Sequence, residues 1–237
     1  MKIIASILVA GTMAMASMHQ FDKPIDRSDT IKAGDLTISK ESWDLIIEYE
    51  VGGGAGYYNR YLKQPTVPPG ESGITIGIGY DLRFNSPSQI RKDWGDRLPK
   101  ETVDRLCSVS GLNHSYSKAA LPRVKSISIP WETALEVYRE NTVPRFSKLA
   151  KSAYPGITKM NPDIQGVMLS TSFNRGTSFI PYSTRKELIW TRDDIAAKKD
   201  SKLPDYQLQM RRLWPNIAGL QRRYAAHAGL MQKSLTK

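Results

Sequence analysis

The carboxyl groups of Glu50 and Asp81 are of a type that can transfer protons, and the hydroxyl of Thr75, on the same glycine-rich stretch as Asp81, can hold a water. Glu50 ends the stretch "SWDLIIEYE", whose apolar residues recur at the three- and four-residue steps of a helix. On a helical projection Glu50 falls on the apolar side, between Ile46 and Ile47. A carboxyl group in that position loses solvation, which equips it to donate a proton near neutral pH. The alternative is a helix that simply ends at Glu50 with its side chain in water.

Thr75 and Asp81 belong to the stretch "ITIGIGYDL", residues 74–82, in which bulky aliphatic residues alternate with glycines. Read as one strand with a period of two, Thr75, Gly77, Gly79 and Asp81 share a face opposite a large apolar one. Glycine weakens a strand, so two glycines on one face indicate that something approaches the backbone closely. Either a packed helix or a ligand fits that description.

The helix that must position the first carboxyl group is predicted to begin after Ser39, whose hydroxyl is suited to capping a first turn. Its opposite face carries Glu41, Asp44 and Glu48, which are expected in solvent. The following "VGGGAG" does not fit a phosphate-binding loop, which needs a strand before it and a helix after it. Here Gly52 is predicted to end the helix, and an extended, tyrosine-rich stretch is expected next.

The composition bounds the class of protein. A chain of 237 residues that is 40% hydrophobic can bury the core of one domain, alone or with a smaller lobe. Cys107 is the one cysteine and the histidines are scattered, so neither a disulfide within this chain nor a metal site is expected, and no cofactor is implied. The formal charge of +11 indicates an anionic partner: nucleic acid, an acidic membrane surface or the bacterial envelope.

Residues 1–16 have the pattern of a secretory signal peptide, with Lys2 before an apolar run and "AMA" as a small-x-small cleavage site. The run is shorter than the roughly 20 residues that a membrane-spanning helix needs. The alternatives are a weak signal anchor that stays uncleaved and a buried N-terminal helix. We therefore expect export to the bacterial periplasm or beyond, with no stable membrane span after processing. Exported proteins seldom meet nucleic acid, which favours the anionic envelope as the partner.

Residues 17–38 are polar and lack periodicity, so they are expected to form an N-terminal arm before a catalytic domain at residues 39–237. The chain beyond the glycine-rich strand is predicted to be mainly helical, because apolar positions recur at three- and four-residue steps. The predicted helical segments are residues 86–98, 100–112, 130–155, 161–176, 182–199 and 214–237. Pro130 and Pro162 suit first helical positions, and Gly176 suits a helix end.

Four stretches carry a family resemblance: "IIEYEVGG", "TIGIGY", "IQGVMLSTSFNRGTSFI" and "IAGLQRRYAAHAGL". In this order, over residues 39–234, the chain resembles the phage-type lysozymes, the muramidase endolysins that cleave the glycan strands of peptidoglycan. The resemblance implies an α+β, mainly α-helical, lysozyme-like fold. In such a fold a small β-hairpin lobe packs on a larger helical lobe, with the substrate cleft between them.

The resemblance also implies roles for single residues. Glu50 would be the acid that protonates the leaving oxygen, and the Thr75 hydroxyl would orient the attacking water. Asn174 lies at a predicted helix end, where it would either face the sugar or cap the helix. One of the arginines 222 and 223 would pair with Glu50; the alternative is that both lie in solvent. The substrate-binding residues implied in this way are Asn59, Gly77, Gly79, Asn174 and Arg222.

The chain departs from the family at the second catalytic position. Where the family has an aspartate or cysteine, the spacing from the acid leads here to Asn59, which can hold a water but cannot act as a base. Asp81 is the first candidate to replace it, because it shares a face with Thr75; Glu71 lies in a turn. Otherwise Thr75 alone positions the water, and Asp81 caps the turn after the strand.

The favoured interpretation is an exported, monomeric muramidase that acts on peptidoglycan glycan strands and lyses the cell wall. Three alternatives remain. The first is a catalytically impaired, cationic wall-binding protein on a lysozyme-like scaffold, and the second is a lytic transglycosylase. The third, a nucleic-acid-binding protein, is disfavoured because the basic residues form no basic-aromatic motif.

Overall fold

The computed structural model describes residues 29–236. This part of the chain is mainly helical and contains two small two-stranded sheets, which confirms the predicted α+β, mainly α class. The expected signal peptide, residues 1–16, lies outside the described residues, as do residues 17–28 of the expected arm.

The described chain has the following elements. The strands are β1 (Thr30–Ala33), β2 (Leu36–Ser39), β3 (Thr75–Ile76) and β4 (Tyr80–Asp81). The helices are α1 (Lys40–Val51), α2 (Ala55–Tyr61), α3 (Pro87–Trp94), α4 (Lys100–Cys107), α5 (His114–Ala120), α6 (Trp131–Val137), α7 (Val143–Ala153), α8 (Pro162–Arg175), α9 (Tyr182–Ala196), α10 (Leu203–Met210) and α11 (Ala218–Leu235). A π-helical segment, Tyr138–Thr142, joins α6 to α7.

The described residues group into two compact units. The first unit contains residues 47–148 and 171–176, and the second contains residues 29–46, 149–170 and 177–236.

In the second unit, β1 and β2 form an antiparallel hairpin in which Ala33 pairs with Leu36. The expectation of a polar arm is therefore wrong for residues 30–38. Leu36 and Ile38 are fully buried, and Gly34, with φ 62°, makes the two-residue turn possible. This turn type was readable from Gly-Asp between two alternating stretches.

Helix packing in the second unit relies on one close approach. A β-carbon at Gly166 of α8 would lie 1.9 Å from the Ser42 hydroxyl of α1, so only glycine lets these helices meet. Nearby, the backbone N–H of Thr37 donates to the Gln165 side chain over 3.0 Å, which ties β2 to α8.

In the first unit, the stretch predicted as one strand is a hairpin. Thr75 pairs with Asp81 and Ile76 with Tyr80, and residues 77–79 form the turn. The chain reverses at Gly77 and Gly79, whose φ values of 53° and 64° are left-handed. Cross-strand partners project to one face, so Thr75 and Asp81 share a face as predicted, although through pairing and not along one strand.

The stretch after the first glycines was expected to be extended. It forms the helix α2 instead. The helix is held by Tyr58, whose buried hydroxyl donates to the Ile129 carbonyl over 3.1 Å and whose ring lies 5.3 Å from that of Trp131. Both partners are distant in sequence, so no local pattern indicates them. Helices α5 and α10 were not predicted either.

Several predicted helix signals are confirmed. The Ser39 hydroxyl accepts the N–H of Ser42 over 3.0 Å at the start of α1. Pro162 is the first residue of α8, and Gly176, with φ 66°, follows its end. Pro130 immediately precedes α6 and is not part of it.

The hairpin turn gives a testable difference between its glycines. Gly79→Ala should lower the free energy of unfolding by about 1–2 kcal/mol, the cost of left-handed backbone for an L residue. Gly77→Ala should cost more, because its β-carbon would also lie 2.9 Å from the Trp94 ring, whereas the position at Gly79 is open. Urea denaturation of both variants measures this, and equal losses would contradict the packing argument.

Candidate active site

Glu50 lies in the last turn of α1, where the helix ends at a run of glycines. Its side chain is half-buried, while Glu48 and Asp44 on the other face are exposed as predicted. Glu41, also expected in solvent, is instead half-buried, and Lys233 Nζ lies 3.3 Å from its carboxylate. Glu50 is therefore partly shielded from solvent, which agrees with its predicted place on the apolar side of the helix.

The chain turns sharply just beyond Glu50. Gly52, Gly53 and Gly54 have φ values of 57°, 94° and 106°, all in the region that favours glycine. A β-carbon at Gly52 would lie 3.0 Å from the ring of Tyr57 in α2, so this ring covers the end of α1. The glycines therefore serve the turn and this close packing.

Thr75 is buried between β4 and an isolated bridge residue, Thr66. Its backbone exchanges hydrogen bonds with Thr66 on one side, at 2.7 and 3.0 Å, and β4 lies on the other side. Within residues 29–236, no group forms a hydrogen bond with its hydroxyl. The backbone is thus fixed at a position where only 6% of the residue is exposed.

Asp81 has a different role from the one expected. Its carboxylate accepts the Gly73 N–H at 3.2 and 3.1 Å, one distance to each oxygen, and the Arg83 N–H at 2.9 Å. It thereby caps the short 3₁₀ turn Leu82–Phe84, and only 2% of the residue is exposed. Burial raises the pKa of Asp81 above its ordinary value, against the opposing effect of these hydrogen bonds. The expectation of Asp81 as second catalytic group is not supported, because its oxygens already serve the backbone.

Gly73 makes this arrangement possible and was missed by sequence reasoning. A β-carbon there would lie 2.6 Å from the Arg83 β-carbon and 2.9 Å from an Asp81 carboxylate oxygen. The preceding proline- and glycine-rich connector gave no sign of this contact.

A second missed group anchors the other side of the hairpin. The Tyr80 hydroxyl donates to Asp93 of α3 over 2.8 Å, and Arg145 of α7 lies 3.6 Å from the same carboxylate oxygen. Arg145 also donates to the Asn85 side chain over 2.9 Å. Burial, assisted by the bond to Asp93, raises the pKa of Tyr80 well above its ordinary value, so the hydroxyl stays protonated as a donor.

The two glycines assigned to the substrate differ. Gly77 is buried against Trp94, so helix packing explains it and it offers no room for a sugar. Gly79 is half-buried, and no atom lies within 4 Å of the place where a side chain would begin. Packing against a helix therefore explains Gly77. Of the two glycines, Gly79 is the one beside which a ligand has room.

The other assigned residues divide between the units. Asn59 is exposed on α2, not in a hairpin, and Asn174 is half-buried in the last turn of α8; both belong to the first unit, with Glu50 and Thr75. Arg222 is exposed on α11 in the second unit.

Arg223, next to Arg222, is the buried arginine of this pair. It donates to the Ser170 carbonyl and hydroxyl, both over 2.9 Å. The Ser170 hydroxyl lies 2.9 Å from His227 Nε2, and Gln207 lies 3.1 Å from Nδ1. Burial lowers the pKa of His227 well below 6.5, so this network in the second unit is neutral at the histidine.

No group of three or more His, Cys, Asp or Glu side chains in the described part of the chain could hold a metal ion. None of the helices between residues 29 and 236 is long and apolar enough to cross a membrane. Comparison with known proteins gave no match, either to a protein-family model or to a curated protein. The function must therefore be argued from the residues and their geometry.

The capping role of Asp81 can be measured. Asp81→Asn should lower the free energy of unfolding by about 1–3 kcal/mol, because an amide NH2 would face N–H donors that need an acceptor. The exposed Asp96 provides the control, since Asp96→Asn should change stability little. Equal effects of the two substitutions in urea denaturation would contradict the capping role.

The sign of the pH dependence follows from the raised pKa of Asp81. The ordinary pKa of this carboxyl group is 3.8, and its pKa in the folded protein is higher. Between these two pKa values the folded protein holds the proton more tightly than the unfolded chain does. Stability therefore falls with rising pH in this window, and the wild type should lose stability relative to Asp81→Asn there. The opposite slope would mean that the N–H bonds outweigh burial.

Proposed function

We propose that the protein is a muramidase that hydrolyses the β-1,4 bond between N-acetylmuramic acid and N-acetylglucosamine and so lyses the bacterial cell wall. The observation that carries the proposal is the half-buried residue Glu50 at the end of α1, in one compact unit with Thr75. Glycoside hydrolysis needs a proton donor for the leaving oxygen and a group that directs water to the sugar. These two residues supply both functions.

In the proposed reaction, Glu50 gives its proton to the glycosidic oxygen as the bond to the anomeric carbon breaks. A water held by the Thr75 hydroxyl attacks that carbon from the opposite side of the ring. Attack from this side inverts the configuration at the anomeric carbon. Because the carboxylate of Asp81 is bound to backbone N–H groups, Thr75 acts here without a second carboxylate.

The proposal includes a lysozyme-like fold and a site of action at the bacterial envelope. A hairpin carrying Thr75 follows the helix carrying Glu50, in the chain order of the family. The charge of +11 suits a protein that works on the anionic envelope after export, as a monomer, and not on nucleic acid.

A second candidate, a lytic transglycosylase, is favoured by the engagement of Asp81. That reaction needs one carboxyl group: Glu50 protonates the leaving oxygen and, as the carboxylate, accepts the proton of the sugar's own 6-hydroxyl. This hydroxyl attacks the anomeric carbon, and a 1,6-anhydro sugar results. Glu71, the remaining carboxylate considered for the second role, is 72% exposed and lies 3.6 Å from Arg83, so it is poorly fixed for catalysis.

Mass spectrometry of products from purified peptidoglycan tests these assignments. New reducing ends on N-acetylmuramic acid support the muramidase, whereas 1,6-anhydro ends would establish the transglycosylase. Reducing ends on N-acetylglucosamine would contradict both. If the protein binds peptidoglycan and releases no product, it is the impaired wall-binding protein. For a hydrolase, early NMR spectra should show the inverted anomer, and a retained one would contradict the role of Thr75.

The role of Glu50 leads to a direct prediction. Glu50→Gln should reduce the rate of peptidoglycan cleavage by about 10²-fold or more, because general acid catalysis contributes at least that much. Glu48→Gln, two residues earlier and exposed, should leave the rate nearly unchanged. Both variants should unfold at the wild-type temperature. A loss of less than tenfold for Glu50→Gln would exclude it as the acid.

A further inference from the structure

Helix α2 presents an aromatic and cationic face to solvent. Its buried side holds Tyr58, whereas Asn59, Arg60 and Tyr61 are exposed. Tyr61 is 51% exposed, so its ring is open to a ligand. We call Tyr57, Arg60 and Tyr61 the α2 face.

The rings of the α2 face are held in place before any ligand binds. Those of Tyr57 and Tyr61, one helical turn apart, have centroids 4.8 Å apart at an angle of 47°. The Arg60 guanidinium lies 5.2 Å from the centre of the Tyr61 ring. Tyr57 in turn packs on Gly52, where a β-carbon would come within 3.0 Å of its ring. Such preorganisation reduces the entropy that binding costs.

The α2 face also adjoins the end of α1. Gly52, against which Tyr57 packs, is two residues beyond Glu50 in the chain. A polymer whose reacting bond is at Glu50 therefore has the α2 face within reach of its neighbouring units.

The side chains of the α2 face match an acidic amino-sugar polymer. A pyranose ring presents a flat face of C–H groups, which packs on an aromatic ring such as that of Tyr61. The lactyl carboxylate of muramic acid is an anion that a guanidinium binds well. We propose that the α2 face is a glycan-binding subsite that holds peptidoglycan strands beside the bond to be cleaved. The proposal rests on the proposed function for the identity of the glycan.

Binding to soluble glycan strands, freed of peptides, tests this subsite apart from catalysis. Tyr61→Ala and Arg60→Ala, each combined with Glu50→Gln to prevent cleavage, should weaken the affinity at least about fivefold. Tyr116→Ala is the matched control, because Tyr116 is 67% exposed on α5 of the same unit. All three variants should still unfold in one cooperative thermal transition, which shows that the weaker binding does not come from unfolding. If Tyr61→Ala binds the strands as tightly as Tyr116→Ala, the subsite is excluded.

Kinetics on the same strands gives a second readout. With Glu50 intact, Tyr61→Ala should raise KM and leave kcat unchanged, since a remote sugar is held equally in the ground state and the transition state. If the wild type cleaves nothing while Tyr61→Ala still loses affinity, the proposed function fails and the subsite stands. If Tyr61→Ala loses affinity for phosphatidylglycerol vesicles and not for glycan, the face binds lipid and the proposal is overturned.

Discussion

The hairpin that carries Thr75 depends on the buried carboxylate of Asp81. This group accepts N–H bonds from Gly73, before the hairpin, and from Arg83, after it, and so joins the segments on both sides. In an environment that excludes water, losing the acceptor would leave two backbone donors unsatisfied. Thr75 is the direct cross-strand partner of Asp81, so the position of its hydroxyl depends on the same bonds.

The opposite face of the hairpin is fixed through side chains. Tyr80, next to Asp81, donates to Asp93, and Arg145 reaches the same carboxylate from α7. The buried carboxylate of Asp93 therefore links its own helix, α3, to β4 and to α7. A hairpin held from both faces can keep the Thr75 side chain within the small tolerance that the proposed reaction allows.

Local signals were predictable from the sequence, and contacts between distant residues were not. Thr75 and Asp81 were expected on one face because their separation is even, and the three-residue turn of the real hairpin preserves that relation. The capping role of Asp81 was only an alternative, because its donor Gly73 depends on the path of the connector. Helix α2 was missed for the same reason: Tyr58 is held by Ile129, which no pattern near Tyr58 reveals.

The pairing of β3 on both sides has a consequence for self-association. A strand with one free edge offers unpaired N–H and C=O groups to a second molecule and can start aggregation. Here Thr66 occupies one edge and β4 the other, and the strand is only two residues long. Strand β3 itself is therefore closed to the addition of a strand from another chain.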